Sequence, residues 1–175
     1  MSKRSGDFVT LRELYEEAGR DAARFFFAQR TPNAHMTFDL ELAKKQTQEN
    51  PVYTVQYVHA RVASIFKEAA SRGVPAPDSK SPRAPLEAPQ ERALLIHLAR
   101  FPAALKACES ALSPHPLTNY LMELAGLYHP FYESCRVVDT EDQKTTRARL
   151  RLCAGVKAVI AEGLALLGVS APEQM

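Results

Sequence analysis

The sequence predicts an all-α protein: an antiparallel helical bundle preceded by a short, mostly helical connector. Three observations lead there. Apolar residues recur at three- and four-residue spacing in Val55, Val58, Val62, Ile65, Phe66 and Ala69, again from Leu117 through Leu121, Leu124 and Tyr128, and again from Leu150 through Cys153, Val156, Ile160 and Leu164. That is the period of a helix with one face buried. Each run follows residues suited to starting a helix: Asn50-Pro51, Pro116 and the capping-box pattern Thr140-x-x-Gln143. Between the first two runs, prolines at 75, 77, 82, 85 and 89 forbid helix and discourage sheet, so 74–89 reads as an extended loop.

Taken in order, the chain opens with a basic loop, Ser2-Lys3-Arg4-Ser5-Gly6, and at most one short strand in Asp7-Phe8-Val9-Thr10. Thr10-x-x-Glu13 forms a capping box for a helix through Ala18. Gly19 stops it and Asp21 starts the next. Phe25, Phe26 and Phe27 are consecutive, and neighbouring helical residues point about 100° apart, so they cannot all face one small core. Either this helix is buried in a compact fold or it packs between two domains, the reading preferred here. Residues 31–35 form a turn, Met36-Thr37-Phe38 suits a brief strand, and Asp39 caps a helix to about Thr47. Asn50 caps the organising helix, which Gly73 closes. Pro89 opens a helix burying Leu94, Leu95, Leu98 and Phe101. After Pro102, Ala104, Leu105, Cys108 and Leu112 continue the pattern. Pro130 should kink the long helix that follows, because it lacks an N–H.

At 175 residues there is room for one domain with an appendage. A net charge of +2 does not announce a general nucleic-acid binder, so any basic surface must be local, and no DNA partner is expected. Cys108, Cys135 and Cys153 are odd in number and form no C-x-x-C pair, which fits a reducing, cytoplasmic setting without a zinc site. No apolar stretch approaches the length of a membrane span, and the polar N-terminus carries no signal-peptide core.

His35, His59, His97, His115 and His129 are scattered and read as structural or surface residues, so no metal is expected. No phosphate-binding loop, dinucleotide fingerprint or nucleophile elbow occurs. The acid pairs Glu16-Glu17 and Glu141-Asp142 read as solvated charge. Two features remain. Residues 143–157 hold Lys144, Arg147, Arg149, Arg151 and Lys157 without an acid. Of these, Lys144, Arg147 and Arg151 share a helical face suited to phosphates, or to plain solvation. Tyr53, Tyr57, Tyr128 and Tyr132 are either core rings with a polar rim or stacking platforms for unpaired bases.

Met1-Ser2-Lys3-Arg4-Ser5-Gly6 with Val9-Thr10-Leu11 resembles the K-M-S-K-S signature loop of class I aminoacyl-tRNA synthetases in its arginyl form. D-A-A-R-F-F-F, F-D-L-E-L-A-K-K-Q, E-N-P-V-Y-x-V-Q-Y-V-H-A-R-V and the terminal L-L-G-V-S-A-P-E-Q-M are similar, in order, to segments of the arginyl-tRNA synthetase family. The resemblance implies that residues 1–50 are a signature-loop remnant and a connector that contacts the tRNA stem. Residues 51–175 would form an all-α, DALR-type anticodon-binding domain. The family's nucleotide-binding catalytic domain lies upstream and is absent from this chain. The chain alone is therefore expected to bind no cofactor and to be inactive, although the intact enzyme is an arginine–tRNA ligase using ATP with magnesium.

By the same resemblance, Lys3 is the signature-loop lysine that stabilises ATP's phosphates in an intact enzyme. Thr54, Tyr132 and Met175 stand where the family approaches the anticodon loop, and Thr54 replaces a tyrosine common in relatives. Tyr53, Gln56, Tyr57 and Arg61 lie close by, and Lys144, Arg147 and Arg151 supply the phosphate stripe. Gln174 stands where relatives often carry arginine. The expected partners are the anticodon arm of the tRNA for arginine and the enzyme's own catalytic domain. The alternative is a free-standing helical module that binds RNA or protein without catalysis.

Overall fold

The computed structural model describes residues 10–77 and 85–175, and Lys3 with the rest of the signature-like loop lies outside them, as does most of the possible strand at 7–10. Among the described residues the chain forms α1 (Leu11–Ala18), α2 (Arg20–Ala28), α3 (Leu40–Lys44), α4 (Pro51–Ser71), α5 (Pro89–Ala99), α6 (Phe101–Ala111), α7 (His115–Ser134) and α8 (Gln143–Leu166), with no strand.

Local chemistry sets most of the ends. The Thr10 hydroxyl accepts from the Glu13 amide while the Glu13 carboxylate accepts from the Thr10 amide, the reciprocal capping box the sequence predicts. Asn50 caps α4 through Oδ1, which accepts from Val52 N at 3.2 Å. Its Nδ2 donates to the carbonyls of Ala43 and Lys45 at 3.0 and 2.8 Å. One buried side chain thus ends α3 and starts α4. It also explains why α3 stops at Lys44, short of the expected Thr47: the carbonyls that would continue the helix are taken. At the far end of α4, Val74 N donates to Ala69 O and Gly73 N to Ala70 O, a Schellman closure.

Direction follows from paired contacts. Leu121 faces Gly163 and Gln56, near the start of α4, meets Ser170 just beyond α8, so α8 runs against both α7 and α4. Tyr57 lies against His129 and Arg61 against Tyr132, so α4 and α7 run parallel to each other; α5, α6 and a long loop intervene and return the chain to the same end. The core is continuous from the connector into the bundle: Phe25, Val55, Val58, Val62, Leu94, Leu121, Leu124, Phe131, Leu150, Val156, Ile160 and Leu164 are fully buried in one cluster. Each such side chain contributes about 1.5–3 kcal/mol relative to exposure.

The structure departs from the sequence expectations at several places. Gly19, not Asp21, precedes α2. Met36–Phe38 is not a strand; with no strand beside it among the described residues, it lays Phe38 over Phe26 and Phe27, ring centroids 5.3 and 5.7 Å apart. Phe25 and Phe26 are buried within this chain and Phe27 is 43% exposed, so two of the three phenylalanines are satisfied by the compact fold. Asp142 rather than Thr140 caps α8, its carboxylate accepting from Thr145 N at 3.0 Å, because Thr146 binds the Asp139 backbone and fixes the turn just upstream. On α5 the buried face is Glu91, Leu94 and His97, whereas Leu95 is exposed, and α6 buries no residue fully. By contrast, α7 runs on past Pro130 to Ser134, as the sequence reading has it. The unpaired carbonyl one turn earlier belongs to exposed Gly126, within reach of solvent.

Candidate nucleic-acid interface

The parallel pairing of α4 and α7 lines up aromatic and cationic side chains along one seam. Tyr53 and Tyr57, four residues apart on α4, stack with ring centroids 6.3 Å apart. Tyr57 then stacks on His129 of α7 at 6.4 Å. One turn further, Arg61 places its guanidinium carbon 4.5 Å from the centre of the Tyr132 ring and donates from Nη2 to the Tyr132 hydroxyl. Tyr128 stacks on Tyr132 at 6.0 Å. Tyr128 is fully buried, and its hydroxyl pKa is raised by desolvation. Tyr53, Tyr57, Arg61, His129 and Tyr132 are half-buried, so each leaves part of its side chain to solvent on a rigid base.

A groove opens at each end. Near the start of α4 a groove of about 460 Å³ between the connector and α4 is lined by Arg20, Asp21, Lys45, Tyr53, Gln56 and Met175. Near the end of α7 a groove of about 400 Å³ is lined by Ile65, Glu68, Arg72, Tyr132, Glu133 and Arg136.

Met175 reaches the first groove because the tail after α8 is tied down. Gly168 turns the chain at φ 67°, with the Arg24 guanidinium packed where a side chain would point and Arg24 Nε donating to Leu167 O at 3.0 Å. Ser170 N donates to Asp21 Oδ2 at 3.1 Å, and Gln56 Nε2 donates to both Asp21 Oδ2 and Ser170 O. The Pro172 carbonyl accepts from His59 Nδ1 at 2.8 Å. Glu173 pairs with Lys157 at 2.6 Å, and its bond to that ammonium holds the carboxyl below the usual range. The tail therefore covers a side of α4 that the apolar stripe leaves polar.

This covering places the predicted residues in different roles. Tyr53, Tyr57, Arg61 and Tyr132 come together along the seam, and Met175, 52% exposed, stands at its α4 end. Thr54 and Gln56 are only 8% exposed. The Thr54 hydroxyl donates to Gln48 O and Asn50 O, so both side chains hold the chain itself. Lys144 is exposed, and Arg147 and Arg151 are half-buried on α8. Arg147 donates to Gln143 Oε1 at 3.3 Å. Arg149 and Lys157, from the same basic run, are committed elsewhere: Arg149 to buried Glu91 at 2.6 Å and Lys157 to Glu173. The α8 start and the α7 end are joined by 135–142, so the stripe begins at the Tyr132 end of the seam.

Sequence reasoning missed Glu91, and it read His97 as a structural or surface histidine without placing it in the core. Glu91 sits at the third position of α5, where its carboxylate also accepts from Ala88 N at 2.9 Å. An acid two residues after Pro89 was the available signal. His97 stacks on Tyr120 at 4.3 Å and donates from Nε2 to Tyr120 O, while the Tyr120 hydroxyl donates to His97 O. No groups of His, Cys, Asp or Glu able to hold a metal occur among the described residues, and no helix there is long and apolar enough to cross a membrane.

Residues 55–175 match the family model of the DALR anticodon binding domain. The whole chain is 55% identical over 175 residues to an arginine–tRNA ligase of Elusimicrobium minutum, covering 32% of that protein. It is 49% identical over 176 residues to the arginine–tRNA ligase of Carboxydothermus hydrogenoformans, covering 31%. The chain thus spans about a third of the length of these curated relatives. Among solved structures, the arginyl-tRNA synthetase of Thermus thermophilus superposes with a TM-score of 0.74 at 28% identity, over 99% of this chain and 29% of that one.

Proposed function

The chain belongs to the DALR anticodon-binding domain family, as arginyl-tRNA synthetases carry it, and from that premise we propose that it binds the anticodon arm of an arginine tRNA along the α4–α7 seam. The observation that supports this reading is the convergence of Tyr53, Tyr57, Arg61 and Tyr132 on one half-buried line. Unpaired bases recognise such surfaces by stacking, at about 1–3 kcal/mol per base. Lys144, Arg147 and Arg151 attract the phosphates of the same arm, and Met175 supplies an apolar contact at the α4 end. Thr54 and Gln56 act indirectly, by fixing the start of α4 and the tail. Residues 10–50 lie against the stem side of the arm.

In the intact ligase the reaction is ATP-dependent attachment of arginine to this tRNA, with magnesium. Lys3, the residue assigned to ATP by resemblance, lies outside the described residues, and no step of that reaction is assigned to the bundle. The role of the bundle is selection and placement of the RNA. The test is binding of a hairpin RNA carrying an arginine anticodon arm, compared with the same stem carrying an unrelated anticodon loop. Several-fold preference for the arginine loop is expected. Equal affinity for both loops would leave only charge-driven binding and would overturn this reading.

A further inference from the structure

Tyr132 is the half-buried tyrosine at the basic end of the seam, yet its ring is already covered. Arg61 lies over it at 4.5 Å and is held by the bond from Nη2 to the Tyr132 hydroxyl. Tyr128 lies beside it, 18° from parallel. Of these two neighbours only Arg61 can leave. Tyr128 is 1% exposed and belongs to the core cluster, whereas Arg61 is half-buried on a long flexible stem. The guanidinium is also incompletely satisfied, since Arg61 Nε is buried without a hydrogen-bond partner among the described residues. An unmade bond of that kind favours any alternative position in which the donor finds an acceptor.

We propose that Arg61 is an internal stand-in for an unpaired base: it occupies the ring of Tyr132 in the free protein and must swing away before RNA can stack there. The proposal rests on the reading that the seam binds unpaired nucleotides, and it adds a step and a residue to it. Guanidinium groups and nucleobases compete for the same surface, since both are flat and both stack on aromatic faces. A base arrives with its own phosphates, and the displaced guanidinium has five donors in a fork that matches phosphate oxygens. The exchange replaces a cation–π contact and one hydroxyl bond by a base stack and a charge-assisted pair, and it gives Arg61 Nε an acceptor. The Tyr132 hydroxyl then has a role separate from the ring: it holds the stand-in closed.

Two substitutions release the stand-in by different routes. Tyr132→Phe keeps the ring and removes the hydroxyl that holds Arg61; Arg61→Met removes the guanidinium and keeps an apolar stem. The full chain and each variant are titrated with the arginine anticodon-arm hairpin at low and high salt, with thermal melts alongside. At high salt, where phosphate contacts are weakened, both variants should bind about two- to fivefold tighter than the unaltered chain, the range a partly exposed cation–π contact represents. Arg61→Met should lose this advantage at low salt and show a shallower salt dependence, and Tyr132→Phe should keep the original slope. Folded variants that bind more weakly at high salt would mean that Arg61 supports the platform, and unchanged affinity would mean no competition; either result overturns the proposal. Should Arg61→Met fail to fold, Tyr132→Phe decides alone. Failure of the underlying reading has a different signature: no binding by the unaltered chain, or a folded Tyr132→Ala that binds as tightly as it does, removes the seam and the proposal with it.

Discussion

Glu91 and Arg149, on α5 and α8, form an ion pair at 2.6 Å in which the carboxylate is 2% exposed. The other carboxylate oxygen accepts from Ala88 N, and Arg149 also donates to Arg136 O at 2.9 Å. The pair therefore ties the start of α5, the start of α8 and the loop after α7 at one point. Glu91→Ala leaves a part-buried guanidinium without its counter-charge and should cost about 2–4 kcal/mol. Replacing both residues by methionine should recover most of that loss. Urea unfolding of the two variants checks this, and a single substitution costing no more than the double one would show the pair to be dispensable.

Arg149 and Arg147 are two residues apart and should behave oppositely. Arg147→Ala should leave stability within about 0.5 kcal/mol and lower the logarithmic salt slope of RNA binding by about 0.7, one single-strand phosphate contact. Arg149→Ala should lower the unfolding midpoint and leave that slope unchanged. Anisotropy titrations across a salt series, paired with thermal melts, separate the two.

Glycine positions give a second paired comparison. Gly168 has φ 67°, and an added Cβ would lie 2.5 Å from an Arg24 nitrogen, so Gly168→Ala should destabilise by about 2 kcal/mol from backbone strain and displacement of Arg24. Gly126 lies inside α7 with nothing within 4 Å of an added Cβ. Gly126→Ala should therefore stabilise by about 0.5–1 kcal/mol through helix propensity and a less flexible unfolded chain. Calorimetry should find opposite signs.

Acid should loosen the tail before it unfolds the bundle. Glu173 is held below its ordinary value of 4.5 by its bond to Lys157. A lowered carboxyl stabilises above the unfolded pKa and loses that contribution as pH falls through the folded value. Protection of the Val169 and Ser170 amides, relative to their intrinsic exchange at the same pH, should fall on going below about pH 4.5, while Ile160 stays protected. Simultaneous loss of protection at Ile160 and Ser170 would show that the clamp has no separate existence.

The elements whose beginnings are written in local chemistry were legible: Thr10 with Glu13, Asp39, and Asn50 with Pro51 all cap as read. The buried face of α8 was also legible, because a helix of 24 residues samples its own period many times. α5 was not, since its 11 residues carry apolar side chains on several faces and only the tertiary partners Arg149 and Tyr120 select Glu91 and His97 for burial. Among the candidate site residues, Tyr53, Tyr57 and Arg61 share one side of α4 by their four-residue spacing, whereas Tyr132, on α7, was named through the family resemblance and its place beside Arg61 is a tertiary fact. The burial of Thr54 and Gln56 did not, because the tail that covers Gln56 arrives from the other end of the chain. Stacking on Tyr132 was expected as a simple contact; that Arg61 already lies over the ring is a tertiary fact without a sequence signal.

The bond from Ser170 N to Asp21 joins residues 149 positions apart, which has a consequence for synthesis. A ribosome adds about 5–20 residues per second, so α2 emerges many seconds before the tail that completes its setting. Until then Asp21 has no Ser170 and Arg24 has no Leu167 carbonyl, whereas Phe25 and Phe26 gain α4 and α7 earlier. The connector is made before the bundle and fastened after it. A chain halted shortly before residue 168 would carry α1 to α8 and their shared core, yet its connector would lack the fastening that Ser170 gives Asp21.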